Sequence, residues 1–152
     1  MATSSPGFRS ETASIHNDHL FLARLLDKFE ASLSRLNHES AVDAQRAELA
    51  SLTHLAQVLA DEMPHHCRRE EDTLFASASA VSEELAEFCI EMKREHGASL
   101  EFLADFRAAL EALQATQDLA ATLPHLIEQG IQLSESLRGH VAREESELSG
   151  FL

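Results

Sequence analysis

Two copies of one spacing, His66-Cys67-Arg68-Arg69-Glu70-Glu71 and His140-Val141-Ala142-Arg143-Glu144-Glu145, constrain this chain more than any other feature in it. In each copy a histidine precedes a glutamate by four residues, which on an α-helix puts both side chains on one face, one turn apart. A neutral imidazole and a carboxylate aimed at one point make half of a metal site. Two such helices facing each other supply two nitrogens and two carboxylates, a donor set suited to iron or manganese and too rich in oxygen for a thiolate-type zinc site.

The rest of the chain supplies the helices such a site needs. Its 152 residues, 44% apolar, amount to about one domain with a single core. Five glycines, three prolines, no Trp or Tyr, and abundant Ala, Leu and Glu predict helix almost throughout, so the fold class is all-α with short connections. The expected division is a flexible N-terminal segment over residues 1–11 and one helical domain over 12–152. With 26 acids against 12 bases the formal charge is −14, which repels phosphate backbones and excludes nucleic acid and anionic membrane surfaces as partners. Met1 to Thr12 is polar and Ser-rich, without the apolar core of a signal peptide, and no run approaches the roughly 18 apolar residues of a membrane span. A cytoplasmic location is expected. Cys67 and Cys89 have no CxxC spacing and read as reduced bystanders.

Helix one is expected over about Thr12 to Leu36, capped by Ser10 or Thr12, with a core stripe of Ile15, His19, Leu22, Leu26, Phe29, Leu33 and Leu36. Asn37-His38-Glu39 reads as a turn. Ser40 and Asp43 have capping-box spacing for helix two, which reaches about Ser77 with Leu49, Leu52, Ala56, Leu59, Met63, His66, Glu70 and Leu74 inward. Pro64 removes a hydrogen bond from that helix and should kink it. Ser82, Glu83 and Glu84 start helix three, whose stripe is Leu85, Cys89, Met92, His96, Ser99, Leu103, Phe106, Leu110 and Leu113. Gln114 to Leu123 is the expected last loop. Helix four then starts near Thr122 and Pro124 and turns Leu126, Gly130, Leu133, Leu137, His140, Glu144 and Leu148 inward.

Six polar residues therefore stand where a bundle core wants hydrophobes: His19, His66, Glu70, His96, His140 and Glu144. At about 1.5 Å per residue they fall roughly 10 to 20 Å from the same end of an up-and-down bundle, in one layer. Unpartnered, they would cost several kcal/mol against a domain stability of roughly 5 to 15 kcal/mol, so they must satisfy one another or a metal. Gly97 and Gly139, beside two of these histidines, suggest close packing or small-molecule access. His16 lies beside the stripe as a flank. His38, His54, His65, His125, Glu71 and Glu145 read as solvated or flanking residues.

These residues carry a resemblance. Asp18-His19 followed by Ala23-Arg24-Leu25-Leu26, His66-x-x-x-Glu70-Glu71 followed by Leu74-Phe75, Glu95-His96, and His140-x-x-x-Glu144-Glu145 together resemble the hemerythrin-like HHE cation-binding family, from Asp18 to the end. The resemblance implies an up-down-up-down antiparallel four-helix bundle holding a non-haem di-iron centre. It also implies terminal histidines, Glu70 and Glu144 bridging, and an oxo or hydroxo bridge; manganese or zinc are the expected substitutes. The chain departs from the oxygen carriers, which have a second helix-three histidine four residues from the first, where Met92 and Leu100 stand here, and a His-x-x-x-x-Asp pair on helix four. It is closer to the branch with four histidines and two glutamates, which includes iron-cluster repair proteins. The expected function is binding or reacting with O₂, NO or peroxide, as sensor, scavenger or redox protein. Iron binding and donation, in homeostasis or iron-centre repair, is the alternative, and a metal-free helical interaction module is a third. Any self-assembly is expected to be a homodimer.

Overall fold

The computed structural model describes the backbone of residues 6–152 and the side chains from Thr12 onward. Four helical rods account for nearly all of it. The first is α1 (Pro6–His38) and the second begins as α2 (Val42–Arg69). The second rod continues without a break through a π-helical turn, Glu70–Leu74, into the short α3 (Phe75–Ser79). The third rod is α4 (Glu83–Ala115) and the fourth is α5 (Leu119–Glu147), followed by a 3₁₀ turn at Ser149–Phe151. Short connections force consecutive rods antiparallel. α1 packs on α2 and α5, and α4 closes the ring by packing on the same two. No strand occurs among the described residues, and no described helix is long and apolar enough to cross a membrane.

The stripes hold almost residue for residue. Every inward position named above is buried except Leu85, which is half-buried. The boundaries are less faithful. Residues 1–5 of the expected flexible segment lie outside the described residues, while α1 already includes Pro6, so Thr12 is an interior residue rather than a cap. Ser40 does not cap the second rod. Its N-cap is Ala41, and Glu39 Oε1 instead accepts from the Ser40 and Ala41 amides, both at 3.0 Å. The side chain just before Ser40 thus holds the two amides that lead into the helix. Ser82 behaves as expected, its Oγ accepting from the Leu85 amide at 3.1 Å.

The last loop is shorter than expected. Asp118 caps α5 by accepting from the Ala121 amide, which places Pro124 inside the helix at the loss of one backbone bond. Burial of Leu119 and Leu123 compensates, since leucines of this kind contribute about 1.5 to 3 kcal/mol each.

The core is divided in two. A large cluster runs from Leu22 to Leu36 on α1, from Leu49 to Cys67 on α2, and through Leu103 to Leu113 and Leu119 to Leu137 on the other rods. A smaller one joins Ile15, Leu74, Phe75, Ala78, Cys89, Met92 and Leu148. On every rod the polar positions lie between the two: Ile15 and Leu22 flank His19, for example, and Leu137 and Leu148 flank His140 and Glu144.

Candidate metal centre

The layer between the two clusters contains all six polar positions. His19, His66, Glu70, His96, His140 and Glu144 are each no more than 6% exposed, and both glutamates are fully buried. Each rod contributes through its inward stripe: α1 gives His19, α4 gives His96, and the two His-x-x-x-Glu copies give the rest. The π turn begins at Glu70, and the Phe75 amide closes back on the Glu70 carbonyl. This wider turn re-registers the helix directly below the glutamate, a departure common at functional sites.

Two groups of side chains come close enough to share an ion. His19, His66 and Glu70 offer donor atoms that all lie within 4.8 Å of one another, and so do Glu70, His96, His140 and Glu144. Glu70 is common to both. Its carboxylate meets His66 Nε2, lies 3.8 Å from His19 Nε2 and 3.6 Å from His96 Nε2. Glu144 meets His140 Nε2 and stands 4.0 Å from His96 Nε2. The imidazoles pair likewise, with ring centroids 5.0 Å apart for His19 and His66 and 4.8 Å apart for His96 and His140. Phe75 stacks on the outer side of His96 at 5.4 Å.

The buried atoms left without a hydrogen-bond partner test whether this donor set fits a metal. They are the Nε2 of His19, His96 and His140 and all four oxygens of Glu70 and Glu144, joined elsewhere among the described residues by Gln129 Oε1 alone. Such atoms are rare in folded proteins because each costs about 1 to 3 kcal/mol. Seven gathered in one layer, with nitrogen and oxygen donors in the proportion borderline and hard cations prefer, fit two cation positions sharing Glu70.

The electrostatics agree. Burial alone would push the Glu70 carboxyl up, but the imidazoles of His19, His66 and His96 facing it hold it well below the usual carboxylate range. Burial would likewise lower His19 and His96. Glu70 and Glu145 raise His19 instead, and Cys67 and Glu70 push His96 up to about 10. His140 moves the other way, because its burial and the neighbouring His96 outweigh the pull of Glu95 and Glu70.

The outward nitrogens are engaged by acids that the helical stripes do not single out. Each imidazole Nδ1 has a carboxylate partner on a neighbouring rod: Glu145 for His19 at 2.7 Å, Asp18 for His66 at 3.1 Å, Glu71 for His96 at 3.2 Å, and Glu95 for His140 at 2.7 Å. Glu71 and Glu145 are therefore not solvated flanks. They are half-buried and engaged. Two arginines brace the set, Arg69 on Asp18 with contacts of 2.5 and 3.1 Å, and Arg143 on Glu95. His16 belongs to this outer zone, 3.5 Å from Glu145, whereas His38, His54, His65 and His125 are exposed.

The glycines beside the histidines are not packed against anything. A Cβ on Gly97 or Gly139 would meet nothing within 4 Å, so neither residue serves close packing. The crowded glycine is Gly130, where a Cβ would stand 2.8 Å from both Leu33 methyls and 3.2 Å from the Phe106 ring. The chain's one Glu-x-x-His pair, Glu62 and His65, is exposed on α2 and takes no part in the site. Compared with known families, residues 5–152 match the hemerythrin HHE cation binding domain. No curated protein matches the chain, and neither does any solved structure.

Proposed function

The chain belongs to the hemerythrin HHE cation-binding domain family, and from that premise we propose that it is a non-haem di-iron protein that binds or reacts with O₂, NO or peroxide. His19 and His66 would hold one iron and His96 and His140 the other. Glu70, common to both donor groups, would serve both, and Glu144 would complete the second position. The observation that carries the reading is the set of seven unpartnered donor atoms gathered in one buried layer. A helical interaction module has no use for such a layer, which costs it stability.

When bound, the iron pair supplies redox chemistry and open coordination positions for a small ligand. The residues of the chain do the rest. Burial at 6% exposure or less keeps bulk water off the site and restricts entry to small molecules. Phe75 covers His96 from the side of the smaller cluster, and Ile15, Met92 and Leu148 make that side apolar. Such walls suit a diatomic or peroxide better than a charged metabolite. They also argue against iron as cargo, because delivery would require six buried donors to open.

Iron-loaded, reduced protein mixed with O₂, peroxide or NO in a stopped-flow instrument tests the proposal. Its absorption spectrum should change within minutes while the iron stays bound. A spectrum that none of the three alters, together with iron that passes readily to a mild chelator, would favour iron donation instead.

A further inference from the structure

The four carboxylates that meet the outward nitrogens are distributed in a pattern. Asp18 on α1 reaches His66 on α2; Glu71, in the π turn that follows α2, reaches His96 on α4; Glu95 on α4 reaches His140 on α5; and Glu145 on α5 reaches back to His19 on α1. Each rod gives one acid and receives one, and the circuit closes. Helix geometry explains why. Every one of these acids is the immediate chain neighbour of a metal-facing residue: Asp18 precedes His19, Glu95 precedes His96, Glu71 follows Glu70, and Glu145 follows Glu144. Neighbours on a helix point about 100° apart. α1 and α4 run one way and α2 and α5 the other, so one residue back on the first pair and one residue forward on the second turn the side chain in the same rotational sense about the bundle axis. Each acid is thereby aimed at the next rod round.

We propose that Asp18, Glu71, Glu95 and Glu145 form a closed ring of positioning carboxylates, each fixing the histidine of the neighbouring rod as the Nδ1–H tautomer with Nε2 presented to the metal. This inference rests on the metal reading above and deepens it. A carboxylate can only accept, so Nδ1 carries the hydrogen and the lone pair is left on Nε2. The inward atoms are placed to take a cation: three of the four Nε2 atoms have no hydrogen-bond partner, and those of His66 and His140 lie against Glu70 and Glu144. The arginines deepen the pattern, since Arg69 and Arg143 sit one residue before Glu70 and Glu144. They brace the two acids, Asp18 and Glu95, that hold the histidines of their own rods. Each Arg-Glu-Glu run therefore braces one orienting acid, supplies one inward carboxylate and orients the histidine of the next rod. Because the ring closes, loss of any one acid frees a histidine on a different rod from the one mutated.

Chelator competition with Fe(II) on the full chain tests the ring, with long-range ¹H–¹⁵N correlation spectra of the Zn(II)-loaded protein to read the tautomers. Alanine at Asp18, Glu71, Glu95 or Glu145 should weaken Fe(II) binding roughly 10- to 100-fold, whereas Asp18→Asn or a Glu→Gln change at the others should recover part of the loss because the amide oxygen still accepts. Glu101→Ala, an exposed acid on α4, should change nothing. In the spectra all four imidazoles should be Nδ1–H forms bound through Nε2, and Glu145→Gln should shift the His19 signals before those of His140. Histidines bound to zinc through Nδ1, or four folded alanine variants within about twofold of the parent affinity, would overturn the ring while leaving the metal site in place. A parent protein that takes up neither metal would remove both. Should an alanine variant fail to fold by circular dichroism, the amide variants and the tautomer spectra decide.

Discussion

Glu145 accepts the Nδ1 hydrogen of His19 at 2.7 Å across 126 residues of chain, joining the last rod of the bundle to the first. That contact ties the fold to the site, because the two elements that close the bundle are held together where the metal donors converge. It also fixes what protons do there, since His19 faces Glu145 outward and Glu70 inward.

Metal retention should depend steeply on pH. Without a cation, Glu70 and Glu145 raise His19, and Cys67 and Glu70 push His96 up to about 10, so protons compete with metal for both imidazoles. A raised histidine pKa means that proton competition fades as pH climbs through it and grows as pH falls. Affinity should therefore rise from about pH 7 to 8, metal uptake in weak buffer should release protons, and metal should be lost on acidification toward pH ~6 and below. Retention unchanged down to about pH 4 would mean that carboxylates alone hold the ions.

The metal layer should weaken the apo fold. Replacing a buried ionic pair by hydrophobes of similar volume is often neutral or stabilising by about 1 to 4 kcal/mol. The double variant His140→Leu/Glu144→Leu should thus melt at or above the temperature of its metal-free parent while binding less metal. A large fall in the melting temperature of the metal-free form would mean that the pair holds the bundle together without a cation.

Glycine substitutions should separate by sign. Gly97→Ala and Gly139→Ala, at exposed helical positions with open space around the new methyl, should stabilise by up to about 1 kcal/mol. Gly130→Ala should destabilise by about 1 kcal/mol or more, because Leu33 and Phe106 are themselves fully packed. Chemical denaturation of the three variants reads both outcomes.

The inward faces were legible because a bundle helix repeats its buried positions every three to four residues. Every named stripe residue from Ile15 to Leu148 is buried, apart from the half-buried Leu85. The six polar interruptions stood out against that regular background. Less legible were features that depend on a neighbouring rod. Glu71 and Glu145 look like solvated flanks on a single helix, and only the packing order of the four rods turns them toward His96 and His19. A local cue did exist in the sequence, an acid next to a metal-facing residue on every rod, alternately before and after it. The start of α5 is hidden because Pro124 has the look of a first-turn residue, whereas Asp118 already caps the helix. The π turn after Arg69 left no mark in the periodicity, since Glu70 and Leu74 are buried in either register.

Metal content per chain, measured on protein from iron-fed cells and on its alanine variants, tests the central claim most directly. Two donor groups sharing Glu70 predict about two iron ions per chain in the parent. At least one should be lost on alanine substitution at His66, Glu70, His140 or Glu144, and none at His38 or His125. A single zinc ion at full occupancy, or equal metal loss in the two sets of variants, would contradict the proposed di-iron site.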